Sequence, residues 1–168
     1  MASFAGAVGG GVVVFLVGAL AEWRRSIRLE RSAVLGLIQD LHMRRSITPN
    51  SGTPMSGRAA KRSADYERAN LSVLDMRMTI AATRLSLRPR SLSFAPINVM
   101  VRACNDYLET SSTDPGVYVA ELDKLRKDLG DPVDHLRRLN RLKLTNFAPG
   151  MGALTNSVGP RKITSHTP

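Results

Sequence analysis

The chain opens with an apolar run, Met1 to Ala21, that holds no charged residue and no proline. At 1.5 Å of rise per residue, about 20 helical residues span roughly 30 Å, the thickness of a bilayer's hydrocarbon core. Phe4, Val8, Val12, Val13, Val14, Phe15, Leu16, Val17 and Leu20 supply the apolar side chains. Their central-position insertion energies sum to roughly −3 to −5 kcal/mol, a sum that the interspersed glycines reduce. The expectation is a transmembrane anchor over 1–21.

The flank behind the run sets a direction. Glu22, Trp23, Arg24, Arg25, Arg28 and Arg31 occupy it. Trp23 stands where an interfacial aromatic anchor belongs, and the arginines put positive charge on the C-terminal side of the span. The expected topology is single-pass in the cell membrane, with the N-terminus outside and residues 22–168 cytoplasmic. Two other readings compete. Ala19-Leu20-Ala21 matches a signal-peptidase pattern, but the basic region that should precede the apolar stretch is missing. A buried helix of a soluble protein is disfavoured because the run is apolar on every face. Gly6 and Gly10 form G-x-x-x-G, a spacing that lets two membrane helices approach closely and makes homo-oligomer contact a candidate role.

Beyond the anchor every periodic segment reads as helix. Over 22–47, a basic juxtamembrane helix, Ile27, Val34, Ile38 and Leu41 share one face and Leu37 widens it. Residues 48–57 hold two Pro and two Gly without charge and read as a flexible linker. A helical bundle domain is expected over 58–144. Its first helix, ending at Arg88-Pro89, carries Tyr66, Val73, Ile80 and Leu87 at sevens, with Ala69 and Met76 between. The next, over 95–111, presents Ile97, Met100, Val101, Cys104, Tyr107 and Leu108. Asp114-Pro115 and Asp131-Pro132 each read as an N-cap followed by proline in the first turn. They predict two further helices, the first stopping at Gly130. Residues 145–168 show no apolar periodicity and read as a disordered tail. The fold class is all-α: an anchor, a cytoplasmic bundle of about five helices and the tail. With 43% hydrophobic but only 5% aromatic residues, the core must be built largely from Leu, Val, Ile and Met.

Residue chemistry points away from an enzyme. A single cysteine, Cys104, lies on an apolar helix face, where a structural thiol is expected. His42, His135 and His166 are far apart in sequence, and no nucleophile–base pair, metal set or phosphate loop is apparent. We therefore expect no catalytic residue, cofactor or metal. Charge is the distinctive property: 24 basic against 14 acidic residues give +10. Part of it lies beside the anchor, where anionic headgroups attract it. Another part, Arg137, Arg138, Arg141 and Lys143, makes a candidate polyanion contact. Nucleic acid is disfavoured as its target because no stacking aromatics accompany these cations.

The resulting expectation is a non-enzymatic scaffold or interaction protein at the inner membrane face. Membrane lipid and a protein partner, either another copy or a larger membrane complex, are the expected contacts. The alternatives are an accessory subunit of such a complex and a membrane-tethered polyanion binder.

Overall fold

A computed structural model of the chain describes residues 5–44, 56–142 and 149–150, with side chains from Phe15 onwards. Among the described residues the structure is all helical: α1 (Ala5–Met43), α2 (Gly57–Ala60), α3 (Ala64–Leu85), α4 (Phe94–Thr113) and α5 (Tyr118–Leu139), with a 3-10 turn at Pro115–Val117. No strand occurs among them.

α1 is 39 residues long, about 58 Å at helical rise, and crosses the expected anchor boundary at 21/22 without a break. Its C-terminal part carries the apolar face seen in the sequence. Val34, Leu37, Ile38 and Leu41 are buried against α3 and the rest of the core. Among the described residues no helix is long and apolar enough to cross a membrane, so the transmembrane helix expected over 1–21 finds no support there. Phe4 lies outside the described residues. Gly6, Gly10, Val12, Val13 and Val14 lie outside those whose side chains are described.

α4 packs against both α3 and α5. α3 contributes Ala69, Val73, Met76 and Ile80 to the core, following the heptad spacing. Its start differs from the sequence reading, because the chain turns at residues 61–63 before α3 begins. Ser63 supplies the reason: its hydroxyl accepts hydrogen bonds from the amides of Asp65 (3.1 Å) and Tyr66 (3.3 Å), capping the new helix. The short α2 meets the 3-10 turn through Gly57 and Gly116. A Cβ on Gly116 would lie 3.1 Å from the Gly57 amide nitrogen, so the close backbone approach favours glycine there. Tyr66 packs edge-on against Tyr118 at 5.6 Å and donates its hydroxyl to the Ser111 carbonyl (2.9 Å).

Arg44 locks α1 to α3. Its guanidinium donates to Asp40 (2.7 Å), Asp75 (2.8 Å), the Ser72 carbonyl (3.2 Å) and the Thr79 hydroxyl (3.3 Å). Near it, the amide of Gly150 donates to the Leu41 carbonyl at 3.0 Å, and Pro149 and Gly150 are both buried. The remainder of the expected tail, apart from these two residues, lies outside the described residues.

One expectation is corrected. Asp114 caps as predicted, accepting from the Gly116 amide at 3.0 Å, but Asp131-Pro132 does not start a new helix. α5 runs through both Gly130 and Pro132. Leu122, Leu125, Leu129, Pro132, Val133 and Leu136 form one unbroken buried stripe at spacings of three and four, with Val133 beside Pro132. Burying that stripe as one face outweighs the local stop signals, and the proline sits as an interior defect. Pro132→Ala is therefore expected to raise stability by about 1–2 kcal/mol, the restored backbone hydrogen bond outweighing the lost ring contacts. Denaturant unfolding measures this; a neutral or destabilising result would mean that the ring contacts of buried Pro132 match or outweigh its missing hydrogen bond.

Candidate functional site

Ile27, Val34, Ile38 and Leu41 predict which face of α1 turns inward, and that face carries a charge. Glu30 falls within the stripe and is 6% exposed, the only buried charged residue among the described residues. Its carboxylate is held from the turn between α3 and α4. Arg88 Nε donates to Oε2 at 2.7 Å. The Ser91 hydroxyl donates to Oε1, and Ser93 Oγ approaches the same oxygen at 3.4 Å. Asn140, just past α5, donates to Ser93 Oγ at 3.3 Å, so three elements meet around one carboxylate. Burial on its own would raise the Glu30 pKa. The Ser91 hydrogen bond and the Arg88 ion pair outweigh that effect and hold it below its ordinary value.

This network forms one wall of a cleft of about 620 Å³. α1 contributes Trp23, Ile27, Glu30 and Arg31. The α3–α4 turn adds Arg88, Arg90, Ser91, Leu92 and Ser93, and the end of α5 adds Leu139, Asn140 and Arg141. Arg31 Nη2 donates to the Arg141 carbonyl at 3.0 Å, closing the cleft between α1 and α5.

Two arginines reach the cleft from unusual backbone. The Ser91 amide bonds the Arg88 carbonyl at 3.0 Å across a turn with Pro89 second and Arg90 third. Arg90 has φ 64°, where such a turn ordinarily places glycine. α5 ends in a Schellman arrangement, with the Leu142 amide on the Arg137 carbonyl (3.0 Å) and the Arg141 amide on the Arg138 carbonyl (3.1 Å). Arg141 occupies its left-handed position at φ 50°, again a glycine position. These are the only non-glycine residues with positive φ among the described residues.

The cleft thus joins residues from two separate parts of the sequence reading. Trp23 and Arg31 belong to the expected interface anchor, and Arg141 to the expected polyanion contact. The other described residues of those sets are placed elsewhere. Arg24, Arg25 and Arg28 are exposed on α1 outside the cleft wall. Arg137 pairs with Asp134 on α5 at 3.2 Å, Arg138 is exposed, and Lys143 lies outside the described residues. Sequence reasoning missed Arg88, which marks only the stop of a helix there, and Arg90. It also missed Glu30, whose signal was an acidic residue three after Ile27 and four before Val34.

Cys104 is fully buried and its thiol is pushed up to about 12, chiefly by burial. Among the described residues no three His, Cys, Asp or Glu side chains gather as a metal site. A second feature absent from the sequence reading lies on α3. Leu71, Leu74, Met78 and Leu85, at spacings of three, four and seven, form an exposed apolar stripe on the side away from Val73 and Ile80. No protein-family model, curated protein or solved structure matches the chain.

The low pKa of Glu30 links it to stability. Its contribution is complete above the ordinary carboxylate value of 4.5 and is lost as pH falls through its lower folded value. Glu30→Gln is expected to cost about 1–3 kcal/mol at neutral pH by leaving Arg88 without its counter-charge. It should also flatten the loss of stability in acid. Unfolding in mild detergent, followed from neutral pH through the carboxylate range, checks both.

Proposed function

We propose that the protein is a single-pass, membrane-anchored helical interaction protein without catalytic activity. Its bundle lies on the cytoplasmic side and its N-terminus outside. One observation carries the reading: α1 runs unbroken from the uncharged segment into the core, and residues 15–25 are all exposed. Phe15, Leu16, Val17 and Leu20 therefore have no cover from the rest of the described chain. A contiguous apolar surface of this kind marks an interaction site, and hydrocarbon satisfies it without any protein partner. Trp23 and the arginines at 24, 25, 28 and 31 follow at the depth where headgroups begin, and their charge opposes crossing.

Carbonate extraction tests the anchor. The chain is expected to stay in the membrane pellet, and release into the soluble fraction would remove the reading. Protease added to intact cells is expected to leave the bundle uncut; digestion from outside would reverse the orientation.

The exposed α3 stripe favours a second reading, an accessory subunit of a larger membrane complex. A helix whose outer face carries Leu71, Leu74, Met78 and Leu85 has a partner-binding surface ready, and the G-x-x-x-G spacing of Gly6 and Gly10 in the sequence suits a further helix contact. Native mass in mild detergent is expected to exceed the 18.3 kDa of one chain and to fall to it with Leu74→Lys and Met78→Lys together. A monomer before mutation would count against this reading.

A further inference from the structure

We propose that the cleft between α1, the α3–α4 turn and the end of α5 binds the phosphate group of an anionic phospholipid. Four arginines, Arg31, Arg88, Arg90 and Arg141, line it against a single carboxylate-bearing residue, Glu30. That carboxylate is already engaged by Arg88 and two serines. The side chains of Arg90 and Arg141 make no ion pair or hydrogen bond among the described residues, so two planar donors are uncommitted at the cleft's edge. Guanidinium matches the phosphate oxygens in geometry and charge.

The backbone strengthens the assignment. Each of these arginines stands at a left-handed position where glycine would be less strained. Packing does not require either side chain, since both residues are exposed. Strain retained at two positions that line one cleft, both arginine and neither paired among the described residues, is the pattern of a binding site rather than of a solvated surface.

The surroundings select a lipid as the source of the phosphate. Trp23 and Ile27 line the cleft from α1, and the largely exposed Leu92 lines it from the α3–α4 turn. These apolar groups suit the glycerol and the first acyl carbons. Trp23 also stands two residues beyond the uncharged segment, which brings the cleft to headgroup depth. For that placement the proposal rests on the anchor reading.

Trp23 is the only tryptophan in the chain and lines the cleft, so its fluorescence reads occupancy once the phosphatidylcholine response has been subtracted as the effect of lipid on the micelle. The full chain in mild nonionic detergent is titrated with short-chain phosphatidylglycerol, with short-chain phosphatidylcholine and with glycerol 3-phosphate. A saturable change is expected with phosphatidylglycerol, weakened by salt, with no saturation by phosphatidylcholine. Arg90→Gly and Arg141→Gly should each bind about tenfold more weakly, as expected for loss of a charge-assisted hydrogen bond, with melting temperatures equal to the parent or higher. Arg141→Gln removes the charge without freeing the backbone and should show the same loss. If a glycine variant melts lower, the glutamine variant decides. Equal responses to the two lipids, or variants that bind like the parent, would overturn the proposal. Glycerol 3-phosphate binding as tightly as phosphatidylglycerol would overturn the lipid assignment and leave a soluble phosphate ester as the ligand. The titration does not need an inserted anchor, whereas carbonate extraction does not need the cleft, so failure of one is distinct from failure of the other.

Discussion

A carboxylate removed from water has to be met by hydrogen bonds and positive charge, and Glu30 meets that requirement only when three parts of the chain come together. Arg88 and Ser91 hold it directly. Ser93 lies beside them, and Asn140 reaches Ser93 from beyond α5. The apolar contacts of Val34, Ile38 and Leu41 supply most of the attraction between α1 and the bundle, but such contacts are tolerant of small slides. The ion pair is not, because a shift of a few ångströms would leave both partners desolvated and unmatched. Arg44 makes a comparable clamp one end further along, on Asp40 and Asp75. Between these two fastenings, the angle and register of α1 on α3 are determined.

Much of the bundle could be read directly. The stripes of α1, α3, α4 and α5 in the sequence are the stripes that are buried, because periodic burial is the dominant energy term and leaves its trace in residue order. Local punctuation was less dependable. Ser63 began a helix inside a segment read as continuous, whereas Gly130 and Pro132 failed to end one. In the first case a hydroxyl cap acted against a uniform pattern. In the second, a buried face running from Leu122 to Leu136 was worth more than a proline's missing hydrogen bond.

The cleft was only half legible. Trp23, Arg31 and Arg141 each stood out from charge or position, but nothing in their separations of eight and 110 residues tied them to one place. Arg88 and Arg90 were hidden because a turn is ordinarily recognised by glycine, and here arginine holds the glycine position. Glu30 was hidden by its company, since an acidic residue among four arginines reads as charge balance until its place in the inward stripe is noticed. The exposed leucines of α3 were masked in turn by the heptad beside them. A helix apolar on two faces shows weaker periodicity than a helix apolar on one.

The continuity of α1 has a mechanical corollary. With no proline or loop between residues 15 and 43, the bundle is mounted on a stiff shaft rather than hung from a tether. Were the chain anchored as proposed, the azimuth and height of the bundle would be geared to the shaft. One residue inserted near position 22 would swing the bundle by about 100° and lift it by about 1.5 Å. A change in bilayer thickness that tilts the shaft would tip the arginine cleft by the same angle, so the lipid environment itself would steer which surface the protein offers.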